Sequence, residues 1–196
     1  TDDVIGLLTE LSITDVILNG WSQGGAVAVE AAHRLGAACK GLILSCAASP
    51  CYTDAEGFTS GITDADLVGM AASFRRDKVA TALGVATACF TPNRSAEDIG
   101  AVLRMFLQTG PMALQTLEDL GPLDQRAIMA SLRMPALIIA GAQDTVTPVV
   151  LAQTAHALIA GSRLVILEAS AHVPMVESYD EYHSEICAFL AEVGRR

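Results

Sequence analysis

A serine between two glycines is the first feature of this sequence that could do chemistry. Residues Gly20–Gly24 read Gly-Trp-Ser-Gln-Gly and match the pattern G-x-S-x-G. An apolar run precedes this segment and an Ala-rich helical pattern follows it, so we expect a sharp strand-to-helix turn that exposes Ser22. Both glycines are expected to be required, because crowding at such a turn leaves no room for a Cβ. The placement predicts a nucleophile; an ordinary serine in a Gly-rich turn is the alternative.

A serine hydroxyl is a weak nucleophile at neutral pH and needs a base together with a group that orients the base. Of the four histidines, His33, His156 and His183 lie within helical patterns, and we interpret them as surface or packing residues. His172 instead follows an apolar strand pattern directly, in a loop at the sheet edge from which it could reach Ser22. We therefore predict that His172 is the base.

Asp144 is the predicted orienting acid. It lies in the segment Gly141–Pro148, which follows another apolar strand pattern. An aspartate in this place could also cap the next helix. The chain order serine, acid, histidine favours the catalytic interpretation. Weaker rival acids are Asp124, Glu168, Glu177 and Asp180.

The elements that position these loops alternate between two hydrophobic periodicities. Predicted strands cover Asp15–Asn19, Gly41–Cys46, Pro135–Ala140 and Arg163–Leu167. Predicted helices cover Asp2–Leu11, Gln23–Leu35, Val149–Ala160 and Tyr179–Val193. Fully apolar strands that alternate with helices indicate an α/β fold with a parallel sheet covered on both faces.

The middle of the chain contains no convincing strand. Its helical stretches are Asp64–Phe74, Lys78–Phe90, Ser95–Gln108 and Met112–Leu120. We expect a helical cap, inserted over the carboxyl edge of the sheet, where ligands bind in open α/β folds. The expected division is core 1–51, cap 52–134 and core 135–196.

Composition excludes several classes of protein. The chain has 196 residues, 52% of them hydrophobic, which favours one domain with a sizeable core. A net charge of −10 argues against nucleic-acid binding, and no apolar run approaches the ~20 residues of a membrane span. Five scattered cysteines without a CxxC motif indicate free thiols and predict no metal site. Free thiols are typical of a reducing compartment, so we expect a cytoplasmic location.

Three segments together resemble the α/β-hydrolase superfamily. Gly-Trp-Ser-Gln-Gly-Gly, Gly-Ala-Gln-Asp-Thr-Val-Thr-Pro and Ala-His-Val-Pro-Met-Val-Glu look like its nucleophile elbow, acid loop and histidine loop. Within it, Gly20–Ser22, Ala48–Tyr52 and Ala171–His172 are similar to the esterases of biotin biosynthesis that demethylate pimeloyl-carrier-protein methyl ester. The resemblance implies the α/β-hydrolase fold, with a mostly parallel sheet and an inserted helical cap.

The resemblance also implies a mechanism. Ser22, His172 and Asp144 would form a triad that cleaves carboxylic esters through an acyl-enzyme, without a metal or organic cofactor. The backbone N–H of Gln23 would be one donor of the oxyanion hole.

The same resemblance suggests where the substrate lies. Trp21 and Met175 would line the acyl pocket, with ordinary packing as the alternative. The substrate would be a small-molecule or acyl-carrier-linked ester. Arg75, Arg76 and Lys78 on the cap would meet an acidic carrier protein, although a solvated helix face also explains them.

Family members place several strands and a second oxyanion donor before the elbow, whereas 21 residues precede Ser22 here. We therefore expect that the N-terminal part of the fold is missing from this chain and that catalysis by the chain alone is impaired. An enol-lactonase, a C–C hydrolase, a cofactor-free perhydrolase and a non-catalytic binding remnant remain open. Dehalogenases and epoxide hydrolases are disfavoured, because those relatives need an aspartate in place of Ser22.

Overall fold

A four-stranded parallel sheet forms the centre of the molecule. The computed structural model describes residues 1–92, 94–110 and 112–195. The strands are β1 (Val16–Trp21), β2 (Cys39–Ser45), β3 (Ala136–Gly141) and β4 (Arg163–Leu167). They lie side by side in the order β1-β2-β3-β4, and every pairing is parallel. The carboxyl ends of all four strands therefore meet at one edge of the sheet, as the sequence predicts.

Helices occupy both faces of this sheet and the segment between β2 and β3. Around the sheet lie α1 (Asp2–Glu10), α2 (Gln23–Leu35), α7 (Arg126–Ser131), α8 (Val149–Leu158), α9 (Pro174–Glu177) and α10 (Tyr179–Val193). Between β2 and β3 lie α3 (Asp64–Arg76), α4 (Lys78–Ala88), α5 (Ala96–Gln108) and α6 (Met112–Glu118). A 3₁₀ turn at Gly36–Ala38 connects α2 to β2.

Side chains from the strands alternate between two apolar clusters, one on each face of the sheet. Leu44 and Ile138 point into the cluster that also contains residues of α2, α7 and α8. Ile43 and Ile139 point to the opposite face, where Phe189 of α10 covers them. Because both faces are buried, the strands carry apolar residues at successive positions. This confirms the prediction of a parallel sheet covered on both sides.

Local sequence signals fix the starts of the cap helices. The side chain of Thr63 accepts a hydrogen bond from the backbone N–H of Asp66, whose carboxylate in turn accepts from the Thr63 N–H. Asp77 and Ser95 cap the helices α4 and α5 in a similar way. Such side-chain oxygens satisfy N–H groups that have no partner within the first turn of a helix.

The segment that precedes β3 packs with the core. Helix α7 lies outside the helical stretches that the sequence predicts, and its Met129, together with Leu132, packs in the main apolar cluster against the sheet. Gln125, just before it, is buried and donates a hydrogen bond to the backbone oxygen of Ala26 at 2.8 Å. We therefore propose that the cap ends before α7 rather than at Met134. In the described part of the chain, no helix is both long and apolar enough to cross a membrane.

Candidate active site

The turn at Ser22 connects β1 to α2 in a strained conformation. Ser22 has φ 54° and ψ −127°, a region that costs a non-glycine residue about 1–3 kcal/mol. Three hydrogen bonds hold it: its N–H donates to Ser45 O at 3.1 Å, and its C=O accepts from Gly25 and Ala48 at 2.9 Å each. The surrounding backbone therefore enforces the sharp turn that the sequence predicts.

The two glycines of the motif differ in what requires them. A Cβ on Gly20 would lie 2.4 Å from the backbone oxygen of Gly24, so the close approach of α2 to β1 demands glycine there. A Cβ on Gly24 would meet no atom within 4 Å apart from its chain neighbours and the backbone of its own helix, and the expectation that crowding requires this glycine is wrong. The crowded position is the next one, Gly25, where a Cβ would lie 2.3 Å from the Cβ of Ala47. The helix thus packs against the loop after β2 through Gly25.

Asp144 and His172 form a direct, buried hydrogen bond. The distance between Asp144 Oδ2 and His172 Nδ1 is 2.8 Å, and both side chains are almost fully buried. An ionised carboxylate only accepts hydrogen bonds, so Nδ1 carries a proton, and in the neutral form of the ring Nε2 has the free lone pair. The two residues come from the loops after β3 and β4, whose carboxyl ends are adjacent. The sheet therefore brings together an acid and a base that lie 28 residues apart.

The loop after β3 shapes the environment of the Asp144 carboxylate. Its Oδ1 accepts the backbone N–H groups of Val146 at 2.8 Å and Thr147 at 2.9 Å. Its Oδ2 accepts the Thr147 hydroxyl at 2.7 Å as well as the proton of His172. Burial by itself raises the pKa of Asp144, but the hydrogen bond and the charge of His172, together with the backbone and hydroxyl hydrogen bonds of Thr147, outweigh it and hold the pKa below its ordinary value. The carboxylate is therefore ionised at neutral pH.

Backbone contacts fix the position of His172 as well. Its N–H donates to the C=O of Cys89, the residue that ends cap helix α4, at 3.0 Å. Its C=O accepts the indole N–H of Trp21 at 2.8 Å, and the two rings lie 5.3 Å apart. The cap and the nucleophile turn thus both hold the histidine loop.

Glu177 plays a structural part that the sequence did not reveal. Its Oε1 accepts the backbone N–H and the hydroxyl of Thr91, at 2.8 and 2.7 Å, and its Oε2 accepts the Ala171 N–H at 2.7 Å. This carboxylate therefore ties the connection between cap helices α4 and α5 to the residue before His172. In the sequence, Glu177 is visible only as an acid five residues after His172, which makes it a rival partner for the imidazole.

The other rival acids lie elsewhere. Asp124 pairs with Arg126 at 2.6 Å, a contact that lowers the pKa of Asp124 through the hydrogen bonds and charge of Arg126. Glu168 and Asp180 are exposed. The remaining histidines, His33, His156 and His183, are exposed on helices.

A cavity of about 560 Å³ opens between the sheet edge and the cap. Ser22, His172, Trp21 and Gln23 line it on the sheet side. Apolar residues of the cap form most of the opposite wall: Met70, Phe74, Phe106, Leu114 and Leu117. Met175, expected in this wall, is not among the residues that line the cavity; it lies in α9 and packs in the apolar cluster that also contains Val173 and Phe90.

Gln23 begins helix α2 directly after the nucleophile. N–H groups in the first turn of a helix have no partner within the helix, and the helix dipole favours negative charge there. The side-chain amide of Gln23 donates to the backbone oxygen of Thr116 in cap helix α6.

Cys46 adds a thiol beside the acid and the base. Its Sγ, an Asp144 oxygen and a His172 nitrogen lie within 4.8 Å of one another. A thiolate, a carboxylate and an imidazole are all groups that bind metal ions in proteins. The direct bond between Asp144 and His172 occupies the atoms that face each other. Burial, followed by the charge of Asp144, raises the pKa of the Cys46 thiol well above its ordinary value, which disfavours a thiolate ligand. This donor set fits an acid–base pair better than a metal site.

The chain matches one protein family over most of its length. The model of the Alpha/beta hydrolase family matches residues 1–185. The chain belongs to this family. An AB hydrolase superfamily protein, YisY of Bacillus subtilis, is 29% identical over 96% of this chain and 71% of its own length. A pimeloyl-acyl-carrier-protein methyl ester esterase of Neisseria meningitidis is 31% identical over 87% of the chain and 66% of its own length.

Solved structures agree on the fold of this hydrolase. An esterase from Exiguobacterium antarcticum superposes with a TM-score of 0.92 at 24% identity, covering 96% of the chain and 71% of its own. The hydrolase thus spans about two thirds to seven tenths of the length of these proteins. Similarity to esterases and hydrolases over most of the chain makes it a hydrolase enzyme with the α/β-hydrolase fold.

Proposed function

We propose that this hydrolase cleaves carboxylic esters through a covalent acyl-serine, with Ser22 as nucleophile, His172 as base and Asp144 as the residue that orients the base. One observation carries the proposal. The hydrogen-bonded pair of Asp144 and His172 lies at the same sheet edge as the strained turn of Ser22, and Ser22 and His172 line one cavity. Nucleophile, base and orienting acid are the parts that acyl transfer requires.

The reaction follows from the role of each atom. The Oγ of Ser22 attacks the ester carbonyl while Nε2 of His172 takes its proton. The N–H of Gln23 donates to the oxyanion that forms, and one such donor contributes about 10²–10³ in rate. His172 then returns the proton to the departing alkoxide, and water hydrolyses the acyl-serine by the same steps in reverse order.

The proposed substrate is a small or carrier-linked acyl ester, such as a methyl ester on an acyl-carrier protein in biotin biosynthesis. Support comes from the relative in Neisseria meningitidis, whose name states this activity, and from the apolar cap wall of the cavity. Arg75 and Arg76 are exposed on the cap, where an acidic carrier protein could dock. We also propose a cytoplasmic location, which the five free cysteines support.

A fluorophosphonate probe tests the nucleophile without knowledge of the substrate. We expect a covalent mass increment on the folded wild-type chain and on Ser131→Ala, a matched change at an exposed serine. The increment should disappear in Ser22→Ala and in His172→Ala. Labelling that persists in Ser22→Ala, or its absence from folded wild type, would contradict the proposal and favour the non-catalytic alternative.

A further inference from the structure

Lys78 contributes a positively charged side chain to the wall of the substrate cavity. Among the described residues that line the cavity, it is the single Lys, Arg, Asp or Glu. Its neighbours in the wall include the aromatic rings of Phe74 and Phe106. A charged group beside apolar walls is expensive unless something compensates it.

The protein compensates this ammonium group only in part. Nζ of Lys78 donates to the backbone oxygens of Leu107 at 3.1 Å and Thr109 at 2.8 Å, at the C-terminal end of α5, where the helix dipole favours a cation. An ammonium group has three N–H donors, so one remains for another acceptor. Within residues 1–92, 94–110 and 112–195, no carboxylate lies within ion-pair distance of Lys78. The charge is therefore held in place without being neutralised.

Lys78 lies at the end of the cavity remote from the reacting groups. It is the first residue of α4, whereas Cys89, which ends this helix, contacts the backbone of His172. At 1.5 Å per residue, the helix separates the two backbone positions by about 16 Å. The neighbouring cations are placed differently. Arg75 pairs with Glu118 at 2.7 Å, and neither Arg75 nor Arg76 is among the residues that line the cavity.

We propose that Lys78 is a specificity residue, which binds an anionic group at the far end of the acyl chain of the substrate. The ester carbonyl would lie at Ser22, the methylene chain along the apolar wall, and the carboxylate or phosphate against the free N–H of Lys78. This inference rests on the proposed ester hydrolysis for the orientation of the substrate. The shared chemistry of the ligand is an oxyanion separated from the ester by an apolar chain.

Trp21 allows binding to be measured without turnover. It is the single tryptophan of the chain, and it lines the cavity. In a Ser22→Ala background, its fluorescence would be titrated with monomethyl suberate, with methyl octanoate as the neutral ester of equal chain length, and with the methyl ester of an ω-phosphooxy octanoic acid. We expect at least one of the two anionic esters to bind more tightly than methyl octanoate, and the tighter one identifies the oxyanion.

Substitutions at Lys78 assign that preference to its charge. Lys78→Met should weaken the preferred anionic ester about 10-fold or more, since hydrogen bonds to charged groups are worth that much, and change methyl octanoate less than twofold. Lys78→Arg should retain the preference. Arg104→Met, the matched control at an exposed cation outside the cavity wall, should retain it as well.

Two results would overturn the inference. The first is equal weakening of neutral and anionic esters by Lys78→Met, which would mean that the side chain only supports the end of α5. The second is a protein with native Lys78 that shows no preference for either anionic ester, a comparison that needs no variant at this position to fold. Because Ser22 does not react in this assay, failure of ester hydrolysis appears separately, as failure of fluorophosphonate labelling.

Discussion

Replacement of Asp144 by asparagine should reverse the tautomer of His172. One carboxylate oxygen of Asp144 accepts the backbone N–H groups of Val146 and Thr147, so the amide of an asparagine must keep its oxygen there. The NH₂ group then occupies the position of Oδ2, 2.8 Å from Nδ1. Nδ1 becomes an acceptor, the ring proton moves to Nε2, and the base loses the lone pair that would take the proton of Ser22.

The magnitude follows from the loss of the base. We expect the rate of fluorophosphonate labelling to fall about 10⁴-fold, as for a triad with the wrong tautomer. This corresponds to about 5 kcal/mol of barrier at ~1.4 kcal/mol per tenfold change in rate. Nitrogen-15 NMR of the histidine side chains should show the proton of His172 on Nδ1 in the wild type and on Nε2 in Asp144→Asn.

Asp124→Asn is the matched control. Asp124 is the rival acid at the end of the cap, and it pairs with Arg126 rather than with a histidine. Its substitution should leave both the labelling rate and the NMR spectrum of His172 unchanged. A wild-type labelling rate in Asp144→Asn, or a tautomer that does not change, would refute the assignment of Asp144 as the orienting acid.

Two further substitutions test how the site is supported. Gly25→Ala places a Cβ 2.3 Å from the Cβ of Ala47 and should lower the free energy of unfolding, measured by urea titration, by about 1–3 kcal/mol. Gly24→Ala, at a helical position where the new Cβ contacts no other segment, should not lower it. Equal effects would contradict the packing argument. Glu177→Gln places an amide NH₂ group against the backbone N–H of Thr91 or of Ala171 in the histidine loop. This substitution should lower the free energy of unfolding by about 1–3 kcal/mol and speed amide hydrogen exchange in the histidine loop. Glu181→Gln, at an exposed position, should change neither quantity. Unchanged exchange in Glu177→Gln would show that this carboxylate does not hold the loop.

The sequence by itself determined the type of fold and the three loops that form the candidate site. Apolar strand patterns that alternate with helical patterns predict a parallel sheet, and in such a sheet every carboxyl end lies at one edge. Ser22, Asp144 and His172 each lie in the segment that follows a strand, so local patterns already predict that the three residues lie at the same edge of the sheet. The starts of the cap helices were also readable, because their capping residues lie within one turn of each start.

Only the tertiary structure decided which side chains contact residues far away in the chain. The glycine that must lack a Cβ is Gly25 rather than Gly24, because Ala47 packs against that turn of the helix. Glu177 binds Thr91 of the cap, and Lys78, which the sequence groups with the surface residues Arg75 and Arg76, lines the cavity. Each of these contacts depends on the distance between two segments that are far apart in the chain. The packing of whole helices and strands fixes that distance, and the neighbouring residues in the sequence do not.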